Sequence, residues 1–325
     1  MSILFDEIPS LDLADFTSGS AEQKAAFVKK LSEAYENIGF VAIKNHGLNQ
    51  DLQDRLYKSI KDFFSLPDEV KTKYEHPEIG FQRGYTGKGK EHAKGRNTGD
   101  LKEFFHVGQE LSEIPDGDSV KEEYPSNVWP EEIPEFKDAA TEAFQTLEKA
   151  GKAMLRAIAI SLDLEEDYFE DKVAYGNSIL RQIHYFPIEN PEEVPDDAVR
   201  AAEHGDINLI TLLMGASADG LQVLRKDGKW IPITALPDQL VVNVGDMLER
   251  LTNKKLKSTI HRVVNPPREL MNTSRYSIPF FMHPRSEMDL TCLESCISEE
   301  DPKQFEDATA GEFLDERLRE LGLKK

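Results

Sequence analysis

Among the residues able to do chemistry, one run stands out: Glu203-His204-Gly205-Asp206, followed 55 residues after the aspartate by His261. Two imidazoles and one carboxylate are the donor set of a mononuclear non-haem iron(II) centre. Residues two apart on an extended strand face the same way, which predicts His204 and Asp206 on one strand, with Cα atoms roughly 7 Å apart. A His-x-Asp pair occurs by chance in many chains, so the reading depends on a third ligand and a co-substrate site.

The third ligand is His261, in the strand-like stretch Lys257-Ser258-Thr259-Ile260-His261-Arg262-Val263-Val264. A barrel gathers ligands in this way, two from one strand and one from a distant strand. Three ligands on one face leave three positions for a chelating co-substrate and O2. Fourteen residues after His261 comes Arg275-Tyr276-Ser277. Strand alternation puts Arg275, Ser277 and Phe281 on one face and Tyr276, Ile278 and Phe280 on the other. A guanidinium fork with a hydroxyl beside it binds a carboxylate bidentately with a third hydrogen bond. A lone arginine would read as a salt-bridged sheet residue; behind a complete triad it reads as an anion anchor.

Of the other histidines, His46, His76 and His92 fall in turns or polar loops and read as surface imidazoles. His283 precedes Pro284 and reads as structural, while His106 and His184 lie on expected strands that could line a cavity. The glycines 84, 87, 89 and 95 match neither a Walker nor a dinucleotide spacing, so residues 76–100 read as a mobile surface loop able to act as a lid. His-Glu-x-x-His is absent, which disfavours a zinc hydrolase.

The elements that must position these groups follow from periodicity. Ser20-Ala21-Glu22-Gln23 is a capping box opening a helix with Phe27, Leu31, Tyr35 and Ile38 on its apolar face, ended by Gly39. A strand at Phe40-Val41-Ala42-Ile43 precedes a helix from Asn49 that carries Leu52, Leu56, Ile60 and Phe63 and stops before Pro67, where a short helix begins. Leu101 to Val107 reads as a strand, and Pro134 to Leu162 as a long helix with a broad apolar stripe. After Asn177 the pattern predicts strands at 178–186, 207–214, 220–224, 230–233, 239–244, 258–264 and 275–283, then an amphipathic helix from Pro302 to Leu323. The fold class is therefore α+β and β-dominated, with a jelly-roll (cupin-like) core flanked by N-terminal, central and C-terminal helices.

The net charge of −21 argues against nucleic acid and anionic membranes as partners. Cys292 and Cys296 are the only cysteines and would close a trivial loop, so they read as reduced thiols. With neither a signal-peptide pattern nor an apolar run of about 18 residues, the expectation is a soluble cytoplasmic protein. Its oligomeric state, monomer or homodimer, is not readable.

Taken together, the motifs resemble the isopenicillin N synthase-like branch of the iron(II)/2-oxoglutarate-dependent dioxygenases over nearly the whole chain. The N-terminal half of that likeness lies in Gly39-Phe40-Val41-Ala42-Ile43-Lys44-Asn45-His46-Gly47, Phe63-Phe64-Ser65-Leu66-Pro67, Asp100-Leu101-Lys102-Glu103 and Asn127-Val128-Trp129-Pro130. The C-terminal half lies in His204-Gly205-Asp206, Gly220-Leu221-Gln222-Val223, Asn243-Val244-Gly245-Asp246, His261-Arg262-Val263 and Arg275-Tyr276-Ser277. The resemblance implies a double-stranded β-helix, iron on His204, Asp206 and His261, and 2-oxoglutarate chelating the iron with its distal carboxylate on Arg275 and Ser277. It also implies oxidation of a C–H bond of a small molecule, with release of succinate and CO2. One compact unit, 1–325, is expected: an N-terminal region (1–130), a supporting helix (131–175), the oxygenase core (176–285) and a helical tail (286–325).

One position departs from the family pattern. Many relatives carry tyrosine immediately before the proline that ends the first core strand, where this chain has Phe186. Alternation places Gln182, His184 and Phe186 on one face, expected inward, with His184 supplying a polar contact. The substrate pocket is expected to draw on Arg83, Tyr85, Phe105, His184, Phe186 and Phe281. Alternatives are an isopenicillin N synthase-type oxidase, an ethylene-forming enzyme, and a jelly roll that binds a metal or small acid without turnover. A C-terminal glutamine of the kind seen in the first is missing from Leu318–Lys325.

Overall fold

The structure, a computed structural model, describes residues 3–90, 102–190, 192, 194, 199–214, 220–234, 236 and 238–320. His92 and the second half of the glycine-rich stretch lie outside them. In chain order the elements are β1 (Ser10–Asp12), α1 (Leu13–Thr17), α2 (Ala21–Asn37), β2 (Phe40–Lys44), α3 (Gln50–Phe64), α4 (Asp68–Lys71), β3 (Gly84–Thr86) and β4 (Lys102–Gly108). Next come α5 (Val120–Glu123), α6 (Glu135–Ser161), α7 (Glu170–Val173), β5 (Ile179–Tyr185), β6 (Val199–His204), β7 (Ile210–Met214), β8 (Leu221–Leu224) and β9 (Trp230–Pro232). The chain finishes with β10 (Leu240–Val244), α8 (Asp246–Leu251), β11 (His261–Val264), β12 (Arg275–Met282) and α9 (Ala310–Glu320).

The expected helices form where the apolar spacing puts them. The capping box at α2 is reciprocal: Gln23 N donates to Ser20 Oγ, and Ser20 N to Gln23 Oε1. Three strands had no clear signature, being short (β1, β3) or, for β6, lying in the charged sequence Val199-Arg200-Ala201-Ala202-Glu203-His204. The last helix starts eight residues later than expected. Thr309 pairs with Asp289 as a bridge and then caps α9 in a second capping box with Glu312, so the chain from Pro302 to Ala308 is not helical.

Two sheets result. The larger runs β1-β2-β10-β7-β12-β5-β4-β3 and the smaller β6-β11-β8-β9. Only β1 and β2 pair in parallel among these neighbours. The outer face of the large sheet buries Leu180, Leu212, Ile278, Phe280, Phe105 and Val107 under α2, α3 and α6. A smaller apolar cluster lies between the sheets, with Phe40, Val241 and Leu213 from one and Ala201, Leu221, Val223, Ile231 and Val263 from the other. That inner space is where a site can form.

Gly39 ties the N-terminal region to the approach of β11. Its φ is +73°, in the left-handed region, and a Cβ there would lie 2.1 Å from the Lys257 carbonyl oxygen. The same segment donates from Lys257 N to Tyr35 O at 2.9 Å, four residues before His261. Gly39→Ala combines a strained backbone with a backbone clash and should cost about 1–3 kcal/mol of stability. A urea midpoint unchanged in that variant would contradict this reading.

Candidate metal centre

His261 opens β11 and pairs directly with His204, the last residue of β6. Their rings stand 4.4 Å apart, centroid to centroid. Each Nδ1 donates to a backbone carbonyl two residues back: His204 to Ala202 at 2.7 Å and His261 to Thr259 at 3.2 Å. These bonds fix the tautomer and leave both Nε2 atoms as lone-pair donors.

Asp206 is not on the strand. β6 ends at His204, and residues 205–209 turn under the start of α8, correcting the expectation of a shared strand face. Asp246 N donates to Asp206 O at 2.7 Å, Met247 N to Ile207 O at 3.1 Å and Gly245 N to Leu209 O at 2.9 Å. The otherwise unpaired amides of a helix start thereby hold the turn that carries the carboxylate. Asp206 Oδ2 accepts from Thr211 Oγ1 at 2.7 Å and Asn243 Nδ2 at 2.8 Å, while Oδ1 faces His261 Nε2 at 3.8 Å. One ligand atom from each of His204, Asp206 and His261 falls within 4.8 Å of the others.

The electrostatics suit a cation. Burial pushes the Asp206 carboxyl up, but the two imidazoles and the Asn243 and Thr211 hydrogen bonds outweigh it, holding the group below the usual carboxylate range. Surrounding protein and the adjacent His261 hold the His204 imidazole below its ordinary value, in the neutral form that a metal requires.

Strand register decides which side chains share this space. Arg275 pairs with Tyr185, Ser277 with Ile183 and Phe281 with Ile179; Phe104 pairs with Ile183, and Thr211 with Phe281. Arg275, Ser277, Phe281, Tyr185, Ile183, Arg181 and Phe104 therefore look into the inner space beside Thr211 and its partner Asp206. The inward assignment of Gln182, His184 and Phe186 was one residue out of phase. The tyrosine on the anchor's face is Tyr185, whose ring lies 5.1 Å from the Arg275 guanidinium.

The expected substrate-pocket residues separate accordingly. Phe281 is on the inner face. Phe105 lies in the main core against Phe63 and Phe136. Arg83 is fully buried against Gly108, and Phe186 flanks His184 outside the inner face. His184 and Tyr85 belong to a buried network behind it. Glu103 accepts from Lys71 Nζ (2.8 Å), Tyr85 Oη (2.5 Å) and His184 Nδ1 (2.7 Å), and His184 Nε2 meets Ser274 Oγ at 2.9 Å. Burial raises the Glu103 carboxyl, yet these three bonds more than offset it and lower it overall. Its stabilising contribution is thus complete above the unfolded value near pH ~4.3 and is lost as pH falls through the lower folded value. Tyr85→Phe removes one charge-assisted bond and should cost about 1.5–3 kcal/mol in urea unfolding; no loss would mean that the bond contributes nothing net.

His46 also differs from expectation. It is buried, with Leu48 N donating to Nδ1 and Nε2 donating to Asp238 O at 3.1 Å. His76 stays partly exposed beside Glu78. Cys292 and Cys296 are both free and buried.

Residues 176–284 match the model of the 2OG-Fe(II) oxygenase superfamily, and residues 8–132 match that of the non-haem dioxygenase in morphine synthesis N-terminal region. The chain belongs to the 2OG-Fe(II) oxygenase superfamily. It is 33% identical to the proline hydroxylase buaE of Petromyces alliaceus, over 96% of this chain and 98% of that protein. Among solved structures it superposes on a 2OG-Fe(II) oxygenase family protein from Caulobacter crescentus with a TM-score of 0.85, at 44% identity over 97% of this chain and 99% of the other. It also superposes on a full-length Neurospora crassa protein, crystallised in complex with alpha-KG and thymine, with a TM-score of 0.83 at 29% identity, over 96% of each chain.

As a 2OG-Fe(II) oxygenase the chain requires iron(II) and 2-oxoglutarate, and its donors fit both. Two imidazoles with anchored Nδ1 atoms and one low-pKa carboxylate suit iron(II). Arg275 is 1% exposed, and its Nε and Nη1 have no hydrogen-bond partner among the described residues. A buried guanidinium in that state is strongly disfavoured unless an anion occupies its front. Among the described residues, no helix is long and apolar enough to cross a membrane.

Proposed function

We propose that this oxygenase holds iron(II) on His204, Asp206 and His261 and binds the distal carboxylate of 2-oxoglutarate on Arg275 and Ser277, within a double-stranded β-helix (jelly roll) formed by the two sheets. The observation that carries the reading is the buried Arg275 fork with unpartnered N–H groups, on the same inner face as the residue that anchors Asp206. When bound, the iron and 2-oxoglutarate supply O2 activation, releasing succinate and CO2 and oxidising a C–H bond of the prime substrate.

The chain's own groups orient and insulate that chemistry. Thr211 and Asn243 fix the unused carboxylate oxygen of Asp206, so its other oxygen faces the histidines. The apolar cluster between the sheets lines part of the inner space.

The prime substrate we propose is a small ring compound carrying a hydrogen-bond-accepting oxygen. Supporting this, the Arg181 guanidinium lies 4.4 Å from the Phe104 ring and 5.4 Å from that of Phe281, with Arg181 Nε donating to His106 Nε2 at 2.7 Å. That sets a guanidinium over two aromatic rings on the inner face. The thymine bound to the Neurospora crassa protein and the proline of the named hydroxylase are both small oxygen-bearing rings.

Anaerobic addition of iron(II) and 2-oxoglutarate should give the visible charge-transfer band of the chelate. No band, and no succinate on admitting O2, would sink the reading. Screening small cyclic acids, lactams and pyrimidines for stimulated succinate release should then find the substrate class; stimulation only by long-chain acyclic compounds would contradict the ring assignment.

A further inference from the structure

A second buried guanidinium, Arg200, sits close to Arg275. β6 and β11 pair Val263 with Ala201 and Val264 with Val199, so β11 advances one residue while β6 advances two. Arg200 is the extra residue of that bulge. A bulge re-aims a side chain and recurs beside active sites. Here it sends Arg200 to the segment that enters β12, where its Nη2 donates to Thr273 O at 3.2 Å, two residues before Arg275.

Arg200 is 9% exposed, and its buried Nε has no hydrogen-bond partner among the described residues. Arg275 is in the same condition at Nε and Nη1. The two charges are near enough that Arg275, after burial itself, disfavours the charged form of Arg200. Tyr185 is close to both. Two adjacent buried cations, neither facing a carboxylate among the described residues, are strongly disfavoured without an anion between them. The fold goes out of its way, with a bulge, to create this arrangement.

We infer that Arg200 is the second cation of the co-substrate site, and that the distal carboxylate of 2-oxoglutarate bridges Arg200 and Arg275. A carboxylate offers about four lone-pair sites. One open edge of Arg275, Arg200 Nε and the Ser277 hydroxyl supply donors to both of its oxygens. The consequence is selectivity: a 2-oxo acid with a second carboxylate is accepted, and a 2-oxo monoacid is not helped by either guanidinium. The inference rests on the co-substrate assignment proposed above.

The test is anaerobic titration of the iron(II) protein, following the chelate band, with 2-oxoglutarate and with 2-oxopentanoate, which has the same chain length and no distal carboxylate. Arg200→Gln should weaken 2-oxoglutarate binding about 10- to 100-fold, leave 2-oxopentanoate unchanged, and be partly rescued by Arg200→Lys. Unchanged 2-oxoglutarate affinity overturns the inference. So does equal weakening for both acids, which would mark a structural role, and so does a loss confined to prime-substrate binding. Absence of the band in the unsubstituted protein would instead overturn the co-substrate assignment itself.

Discussion

Asp206→Ala should abolish turnover and iron retention together. Asp206 is the only anionic member of the cluster formed with His204 and His261. Its loss leaves two imidazoles facing a divalent cation, with no negative charge to offset the cost of stripping that cation of water. It also leaves Thr211 and Asn243, both buried, without the oxygen that they share. Iron content after gel filtration and succinate formation are the measurements. Turnover that survived in the variant would contradict the assignment of Asp206 as a ligand. The carboxylate acts here through position as much as charge: Asn at 206 could keep the Thr211 bond but would present a weaker donor to the metal.

Arg275→Ala should leave iron binding nearly intact and weaken 2-oxoglutarate by about 30- to 1,000-fold, the loss of roughly 2–4 kcal/mol expected for a charge-assisted bidentate contact. The separation of the two effects is the point. Arg275 starts β12 on the large sheet, whereas His204 and His261 belong to the small one. Removing the guanidinium should therefore disturb the far end of the co-substrate and not the metal. An apparent affinity unchanged from the parent would show that the anchor lies elsewhere. Thermal unfolding should shift little or rise, because the substitution also removes a buried charge without a partner.

The chemistry was more legible than the geometry that delivers it. His204, Asp206 and His261 could be picked out because the three together have few other uses, although no pair of them is telling alone. Asp206 on a shared strand could not be checked from spacing alone: two residues apart is also the reach of a turn, and the capture of that turn by the amides of Gly245, Asp246 and Met247 is a contact across 36 to 40 positions. Tyr185 was missed, and His184 and Phe186 preferred, for a related reason. Alternation along β5 fixes two sets of residues but not which set faces in; that is decided by pairing with Arg275 on β12, 90 positions away. A firm register for one Arg275 partner would have found Tyr185. Arg200 was hidden because bulges break the period on which strand reading depends. The helices α2, α3 and α6 were read nearly to the residue, since their apolar stripes and caps are local.

The order of strands in the large sheet bears on how this protein can be divided. β2 lies against β10 on one side, and β4 lies against β5 on the other, so the N-terminal half flanks the C-terminal strands from both directions. A fragment beginning near residue 176 would keep β10, β7, β12 and β5 but would carry two raw edges, each with a row of unpaired amides and carbonyls. The outer face of those strands would also lose α2, α3 and α6. The two stretches that match separate family models thus contribute strands to one common sheet, and cutting the chain between them would open it at β2–β10 and at β4–β5.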